Sequence, residues 1–296
     1  MAEILTDDID FAAYMQDTDC HHHVRSTGDY LEEVKRYFHS PDEIKGARMP
    51  WSKTHNDIRF RHGEVTLWNG YNGSGKSLVL GQVCMGFLDQ GQKVCIASME
   101  MKPHMTLARM CRQRATINPP TPEQISAFHH DTDRKLWLYD QQGTVKPNKM
   151  MAVIRYCADK IKIEHMVIDS LMKCGMGEDD YNGQKAFVDQ LTACARDMQI
   201  HIHLVTHARK SASEHDLPGK MDVKGSGAIT DQVDNVITVW RNKKKERAMQ
   251  EGGDYRSQDP DCLLICDKQR NGDWEGKIGL YFDNRATRYV EWGIQA

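Results

Sequence analysis

With 296 residues, 40% of them hydrophobic and 27% charged, the chain has the length of one large α/β domain with a short extension, not of two full domains. A formal net charge of −3 excludes the uniformly basic footprint of a small nucleic-acid-binding domain, so any contact with nucleic acid has to come from local clusters of cations. No apolar run approaches the roughly eighteen residues of a membrane span and the acidic N-terminus has no signal-peptide pattern, so a cytoplasmic protein without a membrane partner is expected.

Residues 1–20 carry Glu3, Asp7, Asp8, Asp10, Asp17 and Asp19 and neither Lys nor Arg, the composition of a solvated tail or a partner-docking segment. Cys20 is followed by His21, His22 and His23, but no second ligand cluster lies nearby. Cys84, Cys95 and Cys157 sit inside apolar runs, where a reduced thiol behaves as a small hydrophobe, so no cysteine or histidine is assigned to a metal. Tyr30, Leu31, Val34, Tyr37 and Phe38 then form a helical stripe, with Asp29 ahead of it, Glu32 placed for a capping box and Pro41 as a stop. This pattern predicts a short amphipathic helix over 29–40, outside the main core.

From Gly63 onward, short β-branched runs alternate with helical patterns, the signature of βαβ units around a parallel sheet. The predicted strands are Glu64–Asn69, Lys93–Ser98, Leu136–Tyr139, His165–Asp169, His201–Thr206 and Asn235–Trp240. Leu263–Asp267, Lys277–Phe282 and Arg288–Glu291, separated by turn residues, read as antiparallel strands added at the sheet edge.

Gly70-Tyr71-Asn72-Gly73-Ser74-Gly75-Lys76-Ser77 fits G-x-x-x-x-G-K-[ST] between a strand and a helical run, the context that a phosphate-binding loop requires. Backbone N–H groups and a helix N-terminus would cradle phosphates, Lys76 would reach the β- and γ-phosphates, and the Ser77 hydroxyl would ligate Mg²⁺. Asp169 closes an apolar strand at the edge facing the ligand crevice and is the expected second magnesium group. Glu100 follows the strand ending at Ser98, which is expected beside the phosphate-loop strand; it reads equally as a water-activating base or as a solvated Glu. His207 ends the strand next to that of Asp169, and reads either as a structural histidine or as a sensor of the γ-phosphate.

Arg209, Lys210, Lys220 and Lys224 lie in a polar stretch before Gly225-Ser226-Gly227, which reads either as a phosphate-contacting loop or as a mobile surface loop. Arg241, Lys243, Lys244, Lys245 and Arg247 read as a solvated hinge between strands. Lys268 and Arg270, at a hairpin tip, are either solvated or placed to complete a neighbouring subunit's site.

Together these motifs resemble the DnaB family of hexameric helicases, including phage primase-helicases and mitochondrial Twinkle. The resemblance rests on the phosphate loop, Ser98-Met99-Glu100-Met101, Val167-Ile168-Asp169-Ser170-Leu171, Asp222-Val223-Lys224-Gly225-Ser226-Gly227-Ala228-Ile229 and Lys268-Gln269-Arg270-Asn271-Gly272, in family order. It spans about residues 56–296 and implies a RecA-like ATPase/helicase domain, leaving 1–55 as an acidic tail and a linker helix that docks on the adjacent subunit. It further implies a homohexameric ring around single-stranded DNA, moving 5′ to 3′ on ATP or dTTP with Mg²⁺, with a primase, polymerase or loader as further partners.

By matching position, Glu100 resembles the water-activating residue, Asp169 the magnesium carboxylate, His207 the γ-phosphate sensor, and Lys268 with Arg270 the trans finger. Lys224, Gly225 and Gly227, with Arg209, resemble DNA-backbone contacts, Arg241 resembles a nucleotide-contacting arginine of the phage members, and Phe282 resembles a residue that helps hold the base. His at the sensor position resembles the phage members. The residues ahead of the matching region are too few for the helical N-terminal domain of bacterial relatives or for a primase domain. A strand-exchange ATPase and a helicase-loading or regulatory ATPase remain as alternatives that share the fold.

Overall fold

The computed structural model describes residues 4–5, 27–39, 46–177, 179–209, 217–219, 222–223, 227–254, 256 and 258–291. Its centre is a sheet of β1 (Ile4–Leu5), β2 (Val65–Asn69), β3 (Val94–Ser98), β4 (Leu136–Tyr139), β5 (His165–Asp169), β6 (His201–Val205), β7 (Asn235–Arg241), β8 (Cys262–Gln269), β9 (Gly276–Asp283) and β10 (Arg288–Val290). The spatial order is β1-β4-β3-β5-β6-β2-β7-β8-β9-β10. Neighbours from β1 to β7 pair parallel, whereas β7–β8, β8–β9 and β9–β10 are antiparallel. This is the mostly parallel sheet with an antiparallel C-terminal edge that the strand pattern predicts, and the RecA-like core that the family resemblance implies.

Helices α2 (Lys76–Asp89), α3 (Pro103–Ala115) and α4 (Pro122–Thr132) cover one face of the sheet. Helices α5 (Pro147–Tyr156), α6 (Tyr181–Met198) and α7 (Ala228–Gln232) cover the other, and α8 (Lys243–Glu251) joins β7 to β8. Alternation along a strand divides the core: Val94 and Ile96 enter the α2 side with Phe60, Trp68, Phe87 and Met110, while Cys95 and Ala97 enter the α5–α6 side with Met150, Ile154, Phe187 and Leu191. Because both faces are covered, every residue of β2, β3, β5 and β6 is buried, which explains why these strands read as continuous apolar runs. Each fully buried large side chain contributes about 1.5–3 kcal/mol.

Several expectations are corrected. The β3 strand does not lie beside β2; β5 and β6 separate them. Within the acidic tail, expected as a solvated or partner-docking segment, Ile4–Leu5 pairs parallel to Leu138 and Tyr139; no pattern announces a two-residue strand, and the rest of residues 1–20 lies outside the described residues. The predicted amphipathic helix is present as a 3₁₀ turn, Thr27–Tyr30, followed by α1 (Leu31–His39). Its Glu32 pairs with Lys35 at 2.7 Å, and Leu31, Val34 and Phe38 remain exposed. The basic run after Arg241 is no solvated hinge but helix α8, whose Lys245 is buried and 2.9 Å from Asp261. The Cys20–His23 tract lies outside the described residues. Among the described residues, no helix is long and apolar enough to cross a membrane.

Candidate active site

The loop between β2 and α2 is shaped by glycine. Gly70, Gly73 and Gly75 have φ of 150°, 73° and 88°. A Cβ on Gly70 would lie 2.4 Å from the Val239 carbonyl oxygen of β7, so only hydrogen fits between the loop and the neighbouring strand. Gly70→Ala is therefore expected to cost about 3 kcal/mol and to abolish nucleotide binding. Thermal denaturation and fluorescent-nucleotide titration check this; an unchanged melting temperature would show that the loop relaxes freely.

Gly75 caps α2 in the left-handed conformation, so the first N–H groups of α2 have no partner within the helix and face the cavity beyond. That cavity has a volume of about 990 Å³, and Asn72, Gly73, Gly75, Lys76 and Ser77 line it. Gly70 and Ser74 stand behind them, and the buried Ser74 hydroxyl has no hydrogen-bond partner among the described residues.

At the loop end of the cavity four strands converge. Lys76 Nζ donates to the carbonyls of Gly70 at 2.8 Å and Tyr71 at 3.0 Å, and lies 3.2 Å from His207 Nδ1. Burial pushes the Lys76 ammonium down to about 8, while Asp169 and then Glu100 pull it back up. Ser77 Oγ donates to Asp169 Oδ2 at 2.6 Å. Burial pushes the Asp169 carboxyl up from its ordinary value, with the Ser77 hydroxyl opposing. Two hard oxygen donors this close, one a buried carboxylate, have the chemistry that Mg²⁺ prefers.

Glu100 stands just past β3. His207, whose Nε2 is 3.9 Å from Glu100 Oε1, holds this carboxyl below its ordinary value against the opposing effect of partial burial. Ser170 Oγ donates to the same oxygen at 3.2 Å and adds to the effect, as does Lys173. With His207 Nδ1 accepting from Lys76, its Nε2 carries the proton that faces Glu100.

Away from the loop, Arg241 and Phe282 line the same cavity. Arg241 donates to Gly73 O at 3.5 Å and to Glu246 Oε1 at 2.5 Å, and Phe282 packs on Tyr289 with centroids 5.2 Å apart. Lys268 and Arg270 do not line it. Lys268 Nζ donates to the carbonyls of Thr230, Asp231 and Val233 at 2.8, 2.9 and 2.7 Å, and Arg270 to those of Asp231 and Gln232, with Asp234 at 3.1 Å. These cations close the C-terminal end of α7, where unpaired carbonyls favour positive charge. Gly227 caps the other end of α7, and Arg209 N donates to Asp222 O at 2.6 Å. Lys210, Lys220, Lys224 and Gly225 lie outside the described residues.

Sequence reasoning assigned no site role to Arg109, Ser170, Tyr289 or the side chains of α8. Arg109 lines the cavity beside Asp169 and Ser77; burial, then Arg112, lowers its pKa, and Asp169 opposes. An Arg inside a helix reads as solvated until α3 is laid along α2.

A glycine loop at a helix N-terminus, a lysine and serine facing a buried Asp at the sheet edge, and a Glu–His pair beside them define a RecA-like P-loop nucleoside triphosphatase. The chain matches the model of the DnaB-like helicase C terminal domain over residues 59–291 and belongs to that family, which is one of helicase ATPases. Its fold is similar to two solved structures. One is described as an ATPase domain, at 16% identity and a TM-score of 0.75, covering 90% of this chain and 98% of that one. The other is a DnaB-like replicative helicase described with its interactions with primase, at 16% identity and a TM-score of 0.74, covering 90% and 68%.

Proposed function

We propose that the chain is the ATP-driven motor of a replicative DNA helicase, a ring that moves 5′ to 3′ on single-stranded DNA. The observation that supports this best is the convergence of Lys76, Ser77, Glu100, Asp169 and His207 at one end of a single cavity, with His207 Nε2 3.9 Å from the Glu100 carboxylate. In this reading ATP, or dTTP, lies with its phosphates on the loop of Gly70, Asn72, Gly73, Ser74 and Gly75 and its base towards Arg241 and Phe282. Ser77 and Asp169 would hold Mg²⁺, which would supply positive charge against that developing on the β- and γ-phosphates. The triphosphate also stabilises the charge of Lys76, which burial disfavours.

Glu100 orients and deprotonates the attacking water, and His207 registers loss of the γ-phosphate. Lys268 and Arg270 leave α7 to complete a neighbour's site, and Lys224, Gly225 and Gly227, with Arg209, contact the DNA backbone. Residues 1–55 act as tail and linker, with the exposed stripe of Leu31, Val34 and Phe38 buried on the adjacent subunit of a hexamer. A primase partner, by analogy with the relative described above, a polymerase or a loader, and a cytoplasmic location belong to the same reading.

The test is steady-state phosphate release with and without single-stranded DNA, together with forks bearing a 5′ or a 3′ tail. Turnover raised about tenfold or more by DNA, with unwinding confined to 5′-tailed forks, is the expected result. Turnover indifferent to DNA would replace the motor reading by a loading or regulatory ATPase.

A further inference from the structure

Helix α8 is a wall of the nucleotide cavity. Asn242, Glu246, Met249 and Gln250, at i, i+4, i+7 and i+8, all line the space that begins at the phosphate loop. Lys244 and Arg247, on the remaining surface of the helix, are exposed and do not line it.

The wall is fixed at both ends. The Asn242 side chain accepts from Lys245 N at 3.0 Å and donates to Pro260 O at 3.1 Å, and Gly252, with φ 69°, ends the helix. Lys245 pairs with Asp261 at 2.9 Å and donates to Asp259 O at 2.6 Å. The other Asp261 oxygen accepts from Phe282 N at 2.8 Å, so α8 and the Phe282 strand are fastened to one carboxylate. Glu246 pairs with the Arg241 guanidinium, whose second nitrogen reaches the phosphate loop at Gly73 O. The charge of Arg241 is thereby compensated and its plane held between the loop and the helix.

Lys76, Ser77 and Asp169 line the phosphate end, and Arg241, Phe282 and α8 line the same cavity and are available to a base. Two side chains of α8 are suited to meet it. Met249 leaves 48% of its surface open at this wall, and a flexible thioether packs well on an aromatic face. Gln250 carries an amide donor and an amide acceptor, the pair that reads a base edge.

We infer that α8 sets nucleobase selectivity: Met249 packs on the base held by Arg241 and Phe282, and Gln250 hydrogen-bonds its edge. The inference rests on the nucleoside triphosphatase reading of the site and names the residues by which that site chooses its nucleotide.

Steady-state hydrolysis of ATP, GTP, CTP and dTTP by the full chain tests it, with Met249→Ala, Gln250→Ala, Met249→Leu and a Lys244→Ala/Arg247→Ala control. Met249→Ala is expected to raise KM for the preferred nucleotide by about five- to tenfold at nearly constant kcat, with Met249→Leu restoring most of the loss. Gln250→Ala is expected to compress the ratio of kcat/KM between best and worst nucleotide by about tenfold. The control leaves KM and the ratio as they are. If wild type hydrolyses nucleotides but both alanine variants keep KM and the ratio within about twofold, α8 is not the selectivity wall. If wild type hydrolyses none, the triphosphatase reading itself falls, and this inference with it.

Discussion

Replacing Glu100 by glutamine is expected to lower kcat by about 10²- to 10⁴-fold while nucleotide affinity stays within about twofold. Gln keeps the size and one hydrogen-bonding oxygen, so the contact from Ser170 Oγ survives, but the amide cannot take a proton from water. The wild-type carboxyl is held below its ordinary value by His207 in the first place, so it is fully ionised throughout the neutral range and needs no prior deprotonation. Glu100 is also half exposed at the cavity edge, where a water has access, whereas Asp169 is buried against Ser77 and suits a metal better than a base. Phosphate release and fluorescent-nucleotide titration separate the two effects. A fall in kcat of less than about fivefold would remove Glu100 from proton transfer, and a parallel loss of affinity would make it a binding residue.

How much of this site a reader could extract from the sequence depends on how local each signal is. The phosphate loop and Asp169 are legible because their constraints are short-range: glycine where φ is positive, a lysine at the helix start, a carboxylate ending an apolar strand. His207 and Glu100 are legible as strand-end residues, but their 3.9 Å approach depends on how the strands are ordered. The expected neighbourhood of β2 and β3 fails, because alternating strands and helices determine a parallel sheet without saying which strands are neighbours.

The basic run after Arg241 misleads for a different reason. Lys245 reads as solvated by its charge, yet it is buried against Asp261, in the loop before β8, a partner that spacing along the chain does not reveal. The same holds for Lys268 and Arg270. Their sequence shows cations at a turn, and only the fold shows that the carbonyls at the end of α7 receive them. The side chains that connect non-neighbouring segments are thus the least legible.

The same distinction applies to three histidines that no motif marks. His165, His201 and His203 are completely buried on adjacent strands, stacked among Phe60, Trp68 and Phe87, with His165 4.0 Å from the Phe87 ring. Their hydrogen bonds fix neutral tautomers. Trp68 Nε1 donates to His203 Nδ1 at 3.2 Å, so His203 Nε2 donates to His165 Nδ1 at 3.1 Å, and His165 Nε2 donates to the Gln92 amide oxygen. His201 Nδ1 donates to Arg61 O at 2.6 Å and its Nε2 accepts from Thr66 Oγ1 at 2.8 Å. No ring has room for a second proton without losing an acceptor.

Burial, reinforced by the neighbouring histidines His201, His165 and His62, holds His165 and His203 well below 6.5; burial holds His201 at about 3, with His62 and Arg61 also lowering it and the Arg61 carbonyl and Asp234 opposing. In the unfolded chain the three titrate near about 6.5, so as pH falls below that value the unfolded state takes up protons that the native state refuses. Stability is therefore intact above pH 7 and lost downwards from about 6.5, at about 1.4 kcal/mol per pH unit for each ring. The three together give a slope of about 4 kcal/mol per unit, and about 6 kcal/mol between pH 7 and pH 5, comparable with the whole stability of an ordinary domain. Urea denaturation at half-unit steps from pH 8 to pH 5 measures the slope. His201→Gln, which retains a donor and an acceptor, is expected to reduce it by about a third. A wild-type slope no steeper than that of one histidine would mean that the native core accepts protons, and that the rings are not the closed, neutral network their hydrogen bonds describe.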